Sequence, residues 1–158
     1  MPVGAYGASA EIMAKISPEG EVYQAGTLSG NPVAMSAGIA QLTECLKQGF
    51  YEALDLKTKN FVSNILAHTQ SKSYSFNIFY IGSIFWFAFT SKEKIQSAEA
   101  IDPESMEKFR KLHKEMLERG VYFGPSGYEV GFVSEAHDKK DLQTASGIIC
   151  ECLDIVCN

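Results

Sequence analysis

The chain has 158 residues, about one domain's length, with 46% hydrophobic and 21% charged residues, which supports a packed core and excludes disorder as the main state. Fourteen Lys and Arg against 19 Asp and Glu leave a net charge of −5, which opposes binding to a nucleic-acid backbone. The longest apolar-rich stretch, Phe76 to Phe89, is interrupted by Asn77, Gly82 and Ser83 and falls short of the roughly 20 residues of a membrane span.

Ala8 to Ile16 reads as a short helix, and Ser17-Pro18-Glu19-Gly20 as a turn. Val22-Tyr23-Gln24 reads as extended, and Gly26-Thr27-Leu28-Ser29-Gly30 as a loop. Asn31 is a candidate N-cap with Pro32 at the first helical position, opening a helix to about Lys47 with Val33, Ala37, Ile39, Ala40 and Leu46 as apolar contacts. Gln48-Gly49 breaks it. A second helix follows from Tyr51 to about Thr69, carrying Leu54, Leu56, Phe61, Val62, Ile65 and Leu66.

From Ser75 to Thr90 aromatic and β-branched residues dominate around Gly82, which predicts one or two buried strands. Asp102-Pro103-Glu104 starts a helix that ends at Gly120. Val121 to Phe123 and Val130 to Val133 read as two more strands. Asp138 caps a last helix, with Asp141 in its first turn and an apolar face of Leu142, Ala145, Ile148, Ile149, Cys152, Ile155 and Val156. The second half thus reads β-β-α-β-β-α, an α+β two-layer unit with helices on one face of a sheet. The expected domains are 1–48 and 49–158. The front, mostly helix and loop, has too few strands to bury its own helices. Residues Ser75 to Val156 are the expected stable core, and Met1 to about Asn31 is expected to be loosely held.

Cys45, Cys150, Cys152 and Cys157 include no C-x-x-C pair and read as reduced thiols of a cytoplasmic protein. Met1-Pro2-Val3-Gly4-Ala5-Tyr6 has neither the basic start nor the apolar core of a signal peptide. His68, His113 and His137 sit in separate segments without ligand spacing, so no metal site is expected; they read as structural. Lys92-Glu93-Lys94 and Lys139-Lys140 read as solvated charge, and Phe85, Trp86, Phe87 and Phe89 as core. The loop from Gly26 to Pro32 is different. Two glycines let amides approach a ligand, two hydroxyls add donors, and a helix N-terminus follows, a combination suited to phosphate.

Met1-Pro2-Val3-Gly4-Ala5-Tyr6-Gly7 together with Val22-Tyr23-Gln24-Ala25-Gly26-Thr27-Leu28-Ser29-Gly30-Asn31-Pro32-Val33-Ala34-Met35 resembles the glutamate-1-semialdehyde 2,1-aminomutase family. That family lies within the class III pyridoxal-phosphate aminotransferases of fold type I. Gly82-Ser83-Ile84-Phe85, Phe87-Ala88-Phe89-Thr90 and the run from Gly120 to His137, with Pro125-Ser126-Gly127-Tyr128-Glu129 at its centre, are similar to later words of the same family in the same order. Ile84, Trp86, Gly124 and Val130 depart from it; alanine is usual at the last two.

The resemblance implies the end of a large cofactor-binding domain, linking helices and a C-terminal small domain. It implies an enzyme that converts glutamate-1-semialdehyde to 5-aminolevulinate with pyridoxal 5'-phosphate, as a homodimer with active sites at the interface. Gly26 and Thr27 would then contact the cofactor phosphate, bound mainly by the other subunit, and Glu129 would stand near the substrate as a catalytic carboxylate. The family's Schiff-base lysine precedes the Met-Pro-Val-Gly word, and none of the twelve lysines here stands in that context. The expectation is therefore a C-terminal fragment, inactive alone. Another class III aminotransferase, or a non-catalytic α+β interaction domain, are the alternatives.

Overall fold

The computed structural model describes residues 1–158. The chain forms two compact units, Met1–Phe50 and Tyr51–Asn158.

The first unit holds helix α1 (Ala10–Met13) and helix α2 (Pro32–Cys45). Ser9 caps α1, which is shorter than its apolar pattern suggests. The backbone beyond it is taken by a parallel bridge between Ile16 and Val22: Ser17 N–H donates to Val22 O at 2.9 Å and Val22 N–H to Lys15 O at 2.9 Å. At α2 the Asn31 carboxamide oxygen accepts from Val33 and Ala34, and Pro32 occupies the first turn, where no donor is needed. Its apolar residues are mostly not contacts within the unit. Ala34 is buried, whereas Val33, Ile39 and Leu46 are exposed.

The second unit is α+β, as expected. Helix α3 (Phe50–Ser71) leads into strands β1 (Asn77–Ile81) and β2 (Ile84–Ala88), helix α4 (Ser105–Glu118), strand β3 (Gly131–Phe132) and helix α5 (Lys139–Cys157). The sheet is antiparallel, in the order β1-β2-β3. Ile81 pairs with Ile84, so Gly82-Ser83 is a two-residue hairpin loop, and Gly82 takes the positive φ of +55° that such turns demand. Val133 N–H extends the ladder to Ser83 O at 2.9 Å.

Four strands were expected in this half and three form. Val121 to Phe123 is irregular. Its apolar character serves ring packing, with the Phe123 ring 5.7 Å from Phe85 and 5.2 Å from Phe87. The Phe123 carbonyl is engaged by His113 Nε2 at 3.1 Å rather than by a ladder, and Pro125 removes a donor just beyond. α4 starts at Ser105 because Asp102 to Glu104 form a turn, in which Glu104 N–H donates to Asp102 Oδ1 at 2.9 Å. Gly120, just past α4, adopts φ +83°, as the sequence pattern predicts.

The core draws on more than residues 75–156. Val62 and Ile65 of α3 are fully buried alongside Leu112 and Met116 of α4 and Ile149 and Leu153 of α5. The spacings Phe109, Leu112, Met116 and Ser146, Ile149, Leu153 each place one helical stripe inward, and α4 packs on α5. Phe61 carries α3 to the sheet, its ring 5.3 Å from Phe85. Thr58 and Thr69 are also fully buried, their hydroxyls donating to Leu54 O and Leu66 O. Asp138 and Asp141 form a reciprocal capping box on α5. No helix is long and apolar enough to cross a membrane.

Candidate functional site

Gly26 and Thr27 lie in the first unit and Glu129 in the second. The loop from Gly26 to Gly30 has two internal backbone bonds, Ser29 N–H to Gly26 O at 2.9 Å and Asn31 N–H to Leu28 O at 3.1 Å. The amides of Thr27, Leu28 and Gly30 take no part in backbone pairing. Thr27 is exposed, and Ser29 Oγ would stand 2.7 Å from a Cβ placed on Gly26. Glycine at 26 thus lets a hydroxyl and the backbone close on the same spot.

The helix N-terminus contributes less than its position suggests. The amides of Val33 and Ala34 are taken by Asn31 Oδ1, and that of Met35 by Asn31 O. The donors left open here are the loop amides and hydroxyls. The loop borders a cleft of about 520 Å³ whose other wall is the opening segment, Pro2 to Gly4 with Tyr6. No lining residue carries a charge. Thr27 sits in the turn, and its side chain is not part of the lining. Free amides, hydroxyls and a glycine cradle form a donor set that fits a phosphate without adding countercharge.

In the second unit Glu129 stands in a turn, outside β3, and is exposed. Its N–H donates to Ser126 O at 3.0 Å. The Trp86 indole N–H donates to Gly127 O at 2.7 Å. Gly127 approaches α4 so closely that a Cβ there would lie 2.8 Å from Met106 Sδ and 3.0 Å from Phe109 Cγ. At the next bend the Phe85 ring covers Gly131, where a Cβ would overlap it. The loop bearing Glu129 is thus pinned at Gly127 and Gly131, and the Glu129 side chain has no ion pair to hold it. Sequence reasoning missed Trp86 as an anchor. Its signal was available: a tryptophan in a strand brings an N–H that needs a partner.

The histidines serve structure. His68 Nε2 and the Tyr74 hydroxyl both contact Asp154 Oδ1 at 2.8 Å, tying the end of α3 to α5. These two bonds, His68 first, hold the Asp154 carboxyl below the usual aspartate range, while burial and Asp154 push the Tyr74 phenol up. His137 Nδ1 accepts from Ser134 N–H at 3.1 Å just before the α5 cap. All four cysteines are free, and burial raises the thiol pKa of Cys150, Cys152 and Cys157. No group of His, Cys, Asp or Glu is placed to hold a metal ion.

The aminotransferase class-III family model matches residues 1–152. Among solved structures, an ω-transaminase from Sphaerobacter thermophilus is 18% identical with a TM-score of 0.79, over 95% of this chain and 34% of its own. A β-phenylalanine aminotransferase from Variovorax paradoxus is 22% identical with a TM-score of 0.79, over 94% of this chain and 34% of its own. A glutamate-1-semialdehyde-aminomutase from Pseudomonas aeruginosa PAO1 is 19% identical with a TM-score of 0.69, over 84% of this chain and 29% of its own. The chain spans about a third of the length of these structures.

Proposed function

From the premise that the chain belongs to the class-III aminotransferase family, we propose that it supplies part of the active site of a pyridoxal-phosphate enzyme, a glutamate-1-semialdehyde 2,1-aminomutase. The observation that carries this reading is the donor set of the Gly26–Gly30 loop, which is neutral and unspent. Pyridoxal phosphate, when bound, supplies the electron sink for moving an amino group.

This chain's residues act around it. Gly26 gives its backbone room to approach the phosphate. The Thr27 hydroxyl donates to a phosphate oxygen, and the Thr27, Leu28 and Gly30 amides add further donors. In a homodimer this loop serves the site of the other subunit. Glu129 presents a carboxylate to the substrate, favouring an ammonium over a second carboxylate and offering an acceptor for a proton. The small-domain words around Pro125 to Glu129 support the aminomutase among family activities. Higher TM-scores to the ω-transaminase and the β-phenylalanine aminotransferase favour a second reading, intermolecular amino transfer.

Thr27→Ala in the holoenzyme tests the phosphate assignment. Loss of one hydrogen bond to a charged acceptor costs about 1.5–3 kcal/mol. Cofactor affinity is then expected to fall roughly ten- to a hundredfold by equilibrium titration, with the fold intact. Unchanged affinity removes Thr27 from the site. To separate the two activities, the holoenzyme is given glutamate-1-semialdehyde without an added keto acid. Formation of 5-aminolevulinate supports the aminomutase. Turnover that requires an amino donor and a keto acceptor supports the transaminase.

A further inference from the structure

A groove of about 550 Å³ runs between α3 and the first turns of α5, and Glu129 is not part of its lining. Asn60 and Asn64 face it from α3, Lys139 and Gln143 from α5. Each pair is four residues apart, so its two side chains share one face of their helix, about 6 Å apart along the axis. The side chains of Asn60, Asn64 and Gln143 make no hydrogen bond within the chain. The charged residues of the lining are Lys57 and Lys139 alone. Lys57 is spent on the loop before α5, its Nζ donating to Glu135 O and Oε2 at 3.0 Å each. Lys139 has no ion pair. Its acidic neighbours, Asp138 and Asp141, each accept a backbone N–H in the capping box and stand outside the lining. In a chain of net charge −5, the groove thus holds an unpaired ammonium and no carboxylate. Buried Phe61 and half-buried Leu142 form its apolar part.

We propose that this groove binds an extended segment of a partner protein in which apolar and acidic residues alternate. A carboxamide carries both donors and an acceptor, which matches the N–H and C=O that one residue of an extended chain presents on the same side. The next residue facing that side lies about 6.6–6.8 Å further on, close to the step of about 6 Å from Asn60 to Asn64. Two residues of the segment are therefore held by their backbone from α3, and Gln143 meets its other edge. Alternate side chains turn toward Phe61 and Leu142 or outward to the rim, where the exposed Lys139 selects a carboxylate. Nucleic acid fits less well, because one unpaired ammonium neutralises little phosphate charge on a chain already negative. The inference is independent of the cofactor loop, which lies in the first unit.

The test is an NMR titration of the full chain with a short peptide of alternating Leu and Glu, blocked at both ends. The side-chain NH2 signals of Asn60, Asn64 and Gln143 are expected to shift together. That of Asn77, whose Nδ2 donates to Lys92 O, is expected to stay in place. Groove signals that do not move, or shifts confined to other residues, overturn the site. Asn60→Ala and Asn64→Ala fall at exposed positions and keep the helix propensity of α3, so the amides of Leu112 and Ile149 should not move. Each is expected to weaken binding about two- to tenfold, the worth of one neutral hydrogen bond. Unchanged affinity in the double variant overturns the backbone contact. Lys139→Gln is expected to weaken binding and to remove most of its salt dependence. A peptide with Lys in place of Glu is expected not to bind, and equal binding of the two peptides overturns the acidic class. A single-stranded oligonucleotide that moves the same signals at lower concentration than the peptide overturns the proposal in favour of nucleic acid.

Discussion

Replacing Trp86 with phenylalanine tests whether one long-range hydrogen bond holds the loop that carries Glu129. The indole N–H meets the Gly127 carbonyl at 2.7 Å, and the ring stacks on Phe79 with centroids 5.7 Å apart and planes 25° apart. Phenylalanine keeps a ring beside Phe79 and loses the donor. A neutral hydrogen bond contributes about 0.5–1.5 kcal/mol net. The missing part of the indole, half-buried here, adds a few tenths of a kcal/mol to about 1 kcal/mol at roughly 25 cal/mol per Å². The expected loss is about 1–2 kcal/mol. At about 4–8 °C per kcal/mol for a domain of this size, Tm drops by between about 4 and 16 °C. Urea unfolding should show a lower midpoint with an unchanged m value, since the surface exposed on unfolding is nearly the same. Native-state hydrogen exchange gives the local reading. The Glu129 amide, which donates to Ser126 O, should exchange faster by more than the global loss accounts for, while Val62 and Leu112 follow the global loss alone. Equal acceleration of exchange at all three positions, or an unchanged Tm, would refute the anchoring role.

Gly131→Ala should destabilise the second unit by about 1–3 kcal/mol, because the new methyl group overlaps the Phe85 ring, itself held between Phe61 and Phe123; an unshifted urea midpoint would count against that packing. Asp154 should give stability an acid limb. Its folded pKa is depressed, so its contribution is complete above the ordinary aspartate range and is lost as pH falls through the lower folded value. Asp154→Asn should flatten that limb when midpoints are compared on either side of the ordinary range, and an unaltered slope would show that His68 and Tyr74 do not act through this carboxylate.

The parts of the fold that could be read in the sequence are those decided within a few residues. Asn31-Pro32 and Asp138 with Asp141 mark helix starts through side-chain bonds three residues long, and both caps form. Gly82 marks the hairpin turn for the same reason. The strand expected at Val121 to Phe123 does not form because distant partners decide its fate: Phe85 and Phe87 take its ring, and His113 takes its carbonyl. Leu153 is fully buried, yet the apolar-face reading of α5 passed over it in favour of Ile155, which is exposed. Two residues, about 200° around a helix, separate Leu153 from Ile155, so the two point to nearly opposite faces, and the packing partners of α5 decide which face turns inward.

Legibility of the candidate site divides along the same line. The open donor set of the Gly26–Gly30 loop was readable because it is local: amides left out of helix and sheet, with glycines and hydroxyls, show in the sequence itself. The structure changes one part of the argument, since Asn31 occupies the helix amides and leaves the loop to supply the donors. The surroundings of Glu129 were not readable, because the role proposed for it needs the reverse arrangement, a fixed backbone under a free side chain. Here the fixing groups come from far away in the chain, from Trp86 at 41 residues' distance and from Phe85 and Met106, each meeting a glycine. A glycine that accommodates another residue's ring has no local signature. Gly124, Gly127 and Gly131 therefore read as loop residues in the sequence, whereas in the fold their missing side chains set where the one carboxylate on that loop can go.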